Sequence, residues 1–180
     1  MATEDSKALG EREVELIDRD ELVGAFLQVA SLAKLPLTES EVRVEFSSAP
    51  HERPTRLPVA THGVYLFFLG DKCLKVGKAG PKTVARFCHH HYGLHAPSTL
   101  AKSILGHLQR IGELRPSERV EEVLALTDRN VGEWIEINTS RMNVLLPTRT
   151  GPFGLSLLEA FLHCRLQPMF EGRPPSKGNA

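Results

Sequence analysis

With 180 residues, 41% of them hydrophobic, and 22 basic against 22 acidic side chains, the chain has material for one domain with its own core and carries no net charge. Its three cysteines, Cys73, Cys88 and Cys164, are widely spaced and form no CxxC, which argues against a disulfide framework and suits small core groups in a reducing compartment. Charge is segregated, with 12 acidic and 5 basic side chains in residues 1–52 but 8 basic and 2 acidic ones in residues 61–115, a block suited to a phosphate-rich partner unless it is the plain separation of two solvated faces.

Met1 to Glu15 is acidic and has no apolar core, and no later stretch has the apolar length of a spanning helix. The expectation is a cytoplasmic protein without membrane contact. Asp20 is placed to cap a helix reaching about Lys34, whose stripe of Leu22, Phe26, Val29 and Ala33 would be buried against the main core. Val42, Val44 and Phe46 alternate with Arg43 and Glu45, which predicts a short strand, and Ser47 to Pro58 has the proline and polar content of a linker. Residues 1–60 therefore read as an acidic arm without a DNA-reading motif, suited to covering the fold or binding a partner protein.

Gly63 to Leu69, the Gly70-Asp71 pair and the apolar run Cys73 to Val76 predict a β-hairpin. Both strands are apolar enough to be covered on two faces, which makes the Tyr65 hydroxyl and the Lys75 ammonium the groups to explain. Gly77 and Gly80 permit close backbone approach, and Pro81 suits the first turn of a helix. In that helix Lys82, Arg86 and His90 recur every four residues on one face, opposite Val84, Phe87, Cys88 and His91. Such a face is arranged to grip an anion, with the Arg86 guanidinium suited to bidentate phosphate contact, while a solvated basic face is the competing reading. Cys88, His91 and His95 have spacings that would serve a zinc site, although Gly93 is placed to end the helix before His95.

Ser98 is positioned to cap a helix reaching about Ile111, and Ser117 to begin another. A helical turn carrying Trp134 is expected between Asp128 and Asn138, then a strand from Met142 to Leu146 closed by Pro147. The last helix, Phe153 to Leu166, has Leu155, Leu158, Leu162 and Leu166 as its stripe, and Glu159 falls inside that stripe. A carboxylate there needs a partner: a bound metal, the Arg86 guanidinium or a structural donor.

Gly63-Val64-Tyr65, Lys75-Val76-Gly77, Arg86, His90 and Glu159 ahead of Leu166-Gln167-Pro168 together resemble the GIY-YIG nuclease superfamily over roughly residues 62–171. Lys75 stands where the second tyrosine is usual, similar to divergent branches with KIG followed by a lysine, here Lys78, and Met169, Phe170 and Glu171 stand where an asparagine often follows the late proline. The resemblance implies an α+β domain over residues 61–172, with a small three-stranded antiparallel sheet flanked by helices, preceded by the arm of residues 1–60 and followed by a flexible tail of residues 173–180. It also implies a metal-dependent endonuclease acting on nucleic acid, DNA being the expected partner, with one Mg2+ or Mn2+ held by Glu159. Arg86 would then neutralise the scissile phosphate and Tyr65 or His90 would activate water. Lys75, Lys78 and Lys82 would contact the nucleic acid, or Lys75 would lower the pKa of a neighbouring tyrosine. The second reading is a nucleic-acid-binding module of the same fold without turnover.

Overall fold

In the computed structural model, residues 18–97 and 99–170 are described, and they form four strands and seven α-helices. The strands are β1 (Arg43–Ser47), β2 (Thr61–Leu69), β3 (Lys72–Ala79) and β4 (Ser140–Pro147), paired antiparallel in the order β1-β4-β2-β3. The helices are α1 (Arg19–Leu32), α2 (Val84–Cys88), α3 (Leu100–Leu105), α4 (Leu108–Gly112), α5 (Val120–Leu124), α6 (Val131–Asn138) and α7 (Gly151–Leu166). The class is α+β, as expected, but the sheet has four strands where three were anticipated. The extra strand is β1, from the arm. It runs along β4 from Arg43 opposite Leu145 to Ser47 opposite Arg141, supplying partners for backbone groups that would otherwise stand unpaired on that edge.

β2 is buried along its length except at Thr61, because both faces of the sheet are covered. On one face Val64, Leu66, Val76, Met142 and Val144 pack with Leu22 and Phe26 of α1 and Leu155, Leu158 and Leu162 of α7. On the other, Tyr65, Phe67, Leu74 and Leu145 pack under Phe87 of α2, Ile104 of α3, Ile111 of α4 and Trp134 of α6. Thus α2 and α7 lie on opposite faces and both pack against the edge strand β3.

Local details differ from expectation in ways that follow from side-chain chemistry. Asp18, not Asp20, caps α1, its carboxylate accepting from the backbone N–H groups of Asp20 at 2.9 Å and Glu21 at 3.1 Å. The buried stripe of α1 is Leu22, Val23, Phe26 and Ala30; Val29, expected in it, is only partly buried, and Ala33, also expected in it, is the exposed C-cap. The segment after β3 is not one helix: a 3-10 turn over Pro81–Thr83 leads into α2, the helix breaks at His89, and a second 3-10 turn runs over His90–Tyr92. The break lets His91 and Tyr92 turn inward to polar partners in the core. Ser98 lies outside the described residues, and Thr99 caps α3 by accepting from Lys102 N–H at 3.1 Å. No helix among the described residues is long and apolar enough to cross a membrane.

Candidate active site

Tyr65 sits in mid-strand on β2, with Gly77 of β3 opposite on one side and Asn143 of β4 on the other. A Cβ at position 77 would lie 2.5 Å from the Tyr65 hydroxyl oxygen and 2.6 Å from its ring carbon Cζ, so the phenol rests directly on the glycine. This is a physical reason for a glycine at the end of Lys75-Val76-Gly77.

Tyr65 is 0% exposed, and its hydroxyl oxygen has two partners. Arg86 Nε donates to it at 3.1 Å, and His91 Nε2 lies 2.6 Å away. The backbone N–H of Leu100 donates to His91 Nδ1 at 3.2 Å, which assigns the imidazole hydrogen to Nε2 and makes His91 a donor to Tyr65. The phenol oxygen therefore accepts twice, and its own hydrogen remains to be donated elsewhere. Burial pushes the Tyr65 hydroxyl up to about 12, against the opposing pull of the Arg86 and Arg141 charges. Burial, helped by the nearby charges of Lys75, Arg141 and Arg86, brings His91 down to about 3 and holds it neutral.

Arg86 and His90 are both exposed, and with Lys82 they line a cleft of about 470 Å³ completed by Thr83, Ala85, Ala96 and Pro97. The three side chains share this cleft although the helix expected to align them is interrupted at His89. Here the tertiary fold, not the helical period, brings them together.

Glu159 approaches from the other face of the sheet. Its Oε2 lies 2.6 Å from Lys78 Nζ, which also donates to Ser156 Oγ at 3.1 Å. The carboxylate makes no hydrogen bond or ion pair with Tyr65, Arg86 or His90, yet its charge reaches Tyr65, where it adds to the upward push on the hydroxyl. Of the partners foreseen for Glu159, a structural donor is the one present. Lys75, by contrast, is 3% exposed and lies opposite Phe67 on the Tyr65 side of the sheet, buried away from the nucleic-acid contact expected of it, and its charge helps to hold His91 neutral.

A hard divalent cation keeps most of its waters and is commonly held by one or two carboxylates, so the single half-buried Glu159 fits Mg2+ or Mn2+ if Lys78 moves aside. No group of three or more His, Cys, Asp or Glu side chains able to hold a metal occurs among the described residues, and both ring nitrogens of His91 are engaged, so Cys88, His91 and His95 form no zinc set.

Two contributors were not singled out by their part in this cluster. His91 reads in sequence as a core histidine or zinc ligand, and only its contact with Tyr65 assigns it here. Arg141, 2% exposed, lies under the same rings. A signal for it exists, since Arg141 and Asn143 alternate with Met142 and Val144 and so place two polar groups on one face of an otherwise apolar strand.

Fold and site together define an α+β protein with a four-stranded antiparallel sheet and, on an inner strand, a buried tyrosine whose hydroxyl is held by Arg86 and His91. No protein-family model, curated protein or solved structure matches the chain.

Proposed function

We propose that the chain is a metal-dependent endonuclease that hydrolyses phosphodiester bonds of nucleic acid, DNA first, as its resemblance to GIY-YIG nucleases implies. The observation that carries this reading is the Tyr65 hydroxyl, held by Arg86 and His91 beside a cleft lined by Lys82, Arg86 and His90. Arg86 uses Nε on Tyr65 and keeps its two Nη groups for the oxygens of the scissile phosphate, a bidentate contact that offsets the charge gathering there. Tyr65, a buried phenol at neutral pH, holds Arg86 Nε from behind and so orients the guanidinium toward that phosphate. His90, open to water in the cleft, takes the proton from the attacking water. As water adds to phosphorus the bond to the leaving oxygen breaks, and that oxygen takes a proton from solvent. Glu159 would hold Mg2+ or Mn2+, which when bound supplies positive charge to stabilise the leaving oxygen. Lys78, released from Glu159, and Lys82 would bind flanking phosphates.

A second reading, a binding module without turnover, is favoured by the Lys78–Glu159 pair, which occupies the carboxylate the cation would need. Cleavage of plasmid, single-stranded, branched and RNA substrates with Mg2+ or Mn2+ separates the two. The endonuclease reading expects a loss of about 100-fold or more in Arg86→Ala and Glu159→Ala. Binding without cleavage of any substrate, unaffected by Glu159→Ala, leaves only the binding module.

A further inference from the structure

Arg141 stands on β4 opposite Phe67, buried on the same sheet face as Tyr65. Its guanidinium carbon is 4.7 Å from the ring centre of Phe87, 5.2 Å from that of Phe67 and 5.6 Å from that of Tyr65. Each nitrogen donates: Nε to Asn143 Oδ1 at 3.0 Å, Nη1 to Tyr92 Oη at 3.1 Å and Nη2 to the Phe87 carbonyl at 2.8 Å. These acceptors are neutral, and the carboxylate of Glu45 is reached only through Asn143 Nδ2, at 3.3 Å. A permanent charge buried among neutral acceptors and ring faces is costlier than an apolar side chain of similar volume, so packing alone does not account for an arginine here.

The acceptors point to a role. Phe87 is the residue after Arg86, and Tyr92 is the residue after His91, so one guanidinium grips the chain neighbours of both donors to Tyr65. α2 has five residues and ends in the break at His89, too short to hold its own geometry. Tyr92 is held from its other side as well: its hydroxyl donates to His51 Nε2 at 2.8 Å, while His51 Nδ1 donates to the Thr139 carbonyl at 2.6 Å.

We propose that Arg141 is a positioning residue of the Tyr65 site: it clamps Phe87 and Tyr92 so that Arg86 and His91 stay on the Tyr65 hydroxyl, and it fixes a positive charge behind that ring. Its consequence for turnover rests on the endonuclease reading, whereas the clamp itself does not.

The test uses the full chain with Arg141→Met, which keeps length without charge, and Arg141→Lys, which keeps charge without the planar fork. Hydrogen exchange of the Arg86 Nε–H, observed by nitrogen-15 NMR and assigned with Arg86→Lys, is expected to quicken by about tenfold in both variants as the restraint on its bond to Tyr65 is lost. At temperatures where both variants stay folded, cleavage kcat is expected to fall by about 100-fold with KM little changed, while the thermal midpoint of Arg141→Met falls because the Phe87 carbonyl and Asn143 Oδ1 lose a buried donor. Unchanged exchange in both variants overturns the clamp, as does a kcat loss seen only at temperatures where the variants unfold. Faster exchange with unchanged kcat in a cleaving protein also overturns the positioning role. If the wild-type protein cleaves nothing, the endonuclease reading fails separately and exchange alone decides the clamp. Should Arg141→Met not fold, Arg141→Lys carries the same readouts.

Discussion

Gly77 and His91 show how single residues are fixed by what touches them. Because the Tyr65 phenol lies where a side chain at position 77 would begin, Gly77→Ala must displace a buried ring, and a loss of about 1–3 kcal/mol is expected from urea unfolding. An unchanged midpoint would mean the ring relaxes freely and does not depend on the glycine. His91 gives a pH dependence whose sign follows from its burial. Its folded pKa, near 3, lies below the ordinary histidine value of 6.5, so between these limits the unfolded chain binds the extra proton. Stability is fully present above about pH 6.5 and is lost as pH falls through this window, by at most about 1.4 kcal/mol per pH unit for one proton. His51 and His62, also lowered by burial, act in the same direction. Urea unfolding at pH 7, 6 and 5 should therefore show a steeper loss in wild type than in His91→Gln; parallel losses would show that His91 does not cause it.

Among elements, β3 and the two helices that meet it decide the site. Alternation along β3 sends Lys75 and Gly77 to the α2 side and Lys78 to the α7 side, so Tyr65 and Glu159 are served from opposite faces of one edge strand. The carboxylate of Glu159 is legible as misplaced from the leucine spacing of α7, but its partner is not, because Lys78 lies in a different element. If Lys78 competes with a divalent cation for Glu159, Lys78→Met should tighten Mn2+ binding several-fold, an effect on the order of 1 kcal/mol for a partly exposed pair. Isothermal titration with Mn2+ would measure it, with Glu159→Gln as the control that removes binding. Equal affinity in wild type and Lys78→Met would remove Lys78 from this role without touching Glu159.

At the scale of the molecule, the described part of the arm and the segment from residue 61 share one sheet and one of its two core layers. α1 contributes Leu22, Val23, Phe26 and Ala30 to the layer that also holds Leu158 and Leu162, and β1 pairs with β4 along five residues. Fully burying one large apolar side chain is worth about 1.5–3 kcal/mol, and a whole domain is stable by only about 5–15 kcal/mol. A chain starting at residue 61 should therefore fail to fold cooperatively, as circular dichroism melting and proton NMR dispersion would show. A sharp melt with native dispersion would instead establish residues 61–172 as an independent unit.

What the sequence by itself determined is local. The β2–β3 hairpin, the stripe of α7 with Glu159 inside it, and the inward faces of Phe87 and Cys88 follow from periods and turn residues a few positions apart. The tertiary structure decided what joins them. The Asn143 to Glu45 bond links residues 98 positions apart and the Arg141 to Phe87 bond residues 54 apart, distances at which no local pattern specifies a partner. For the same reason β1 as a fourth strand, the break at His89, Lys78 as the partner of Glu159 and Arg141 beneath Tyr65 came only with the fold, in which burial forces each polar group to find a donor or acceptor wherever the chain supplies one.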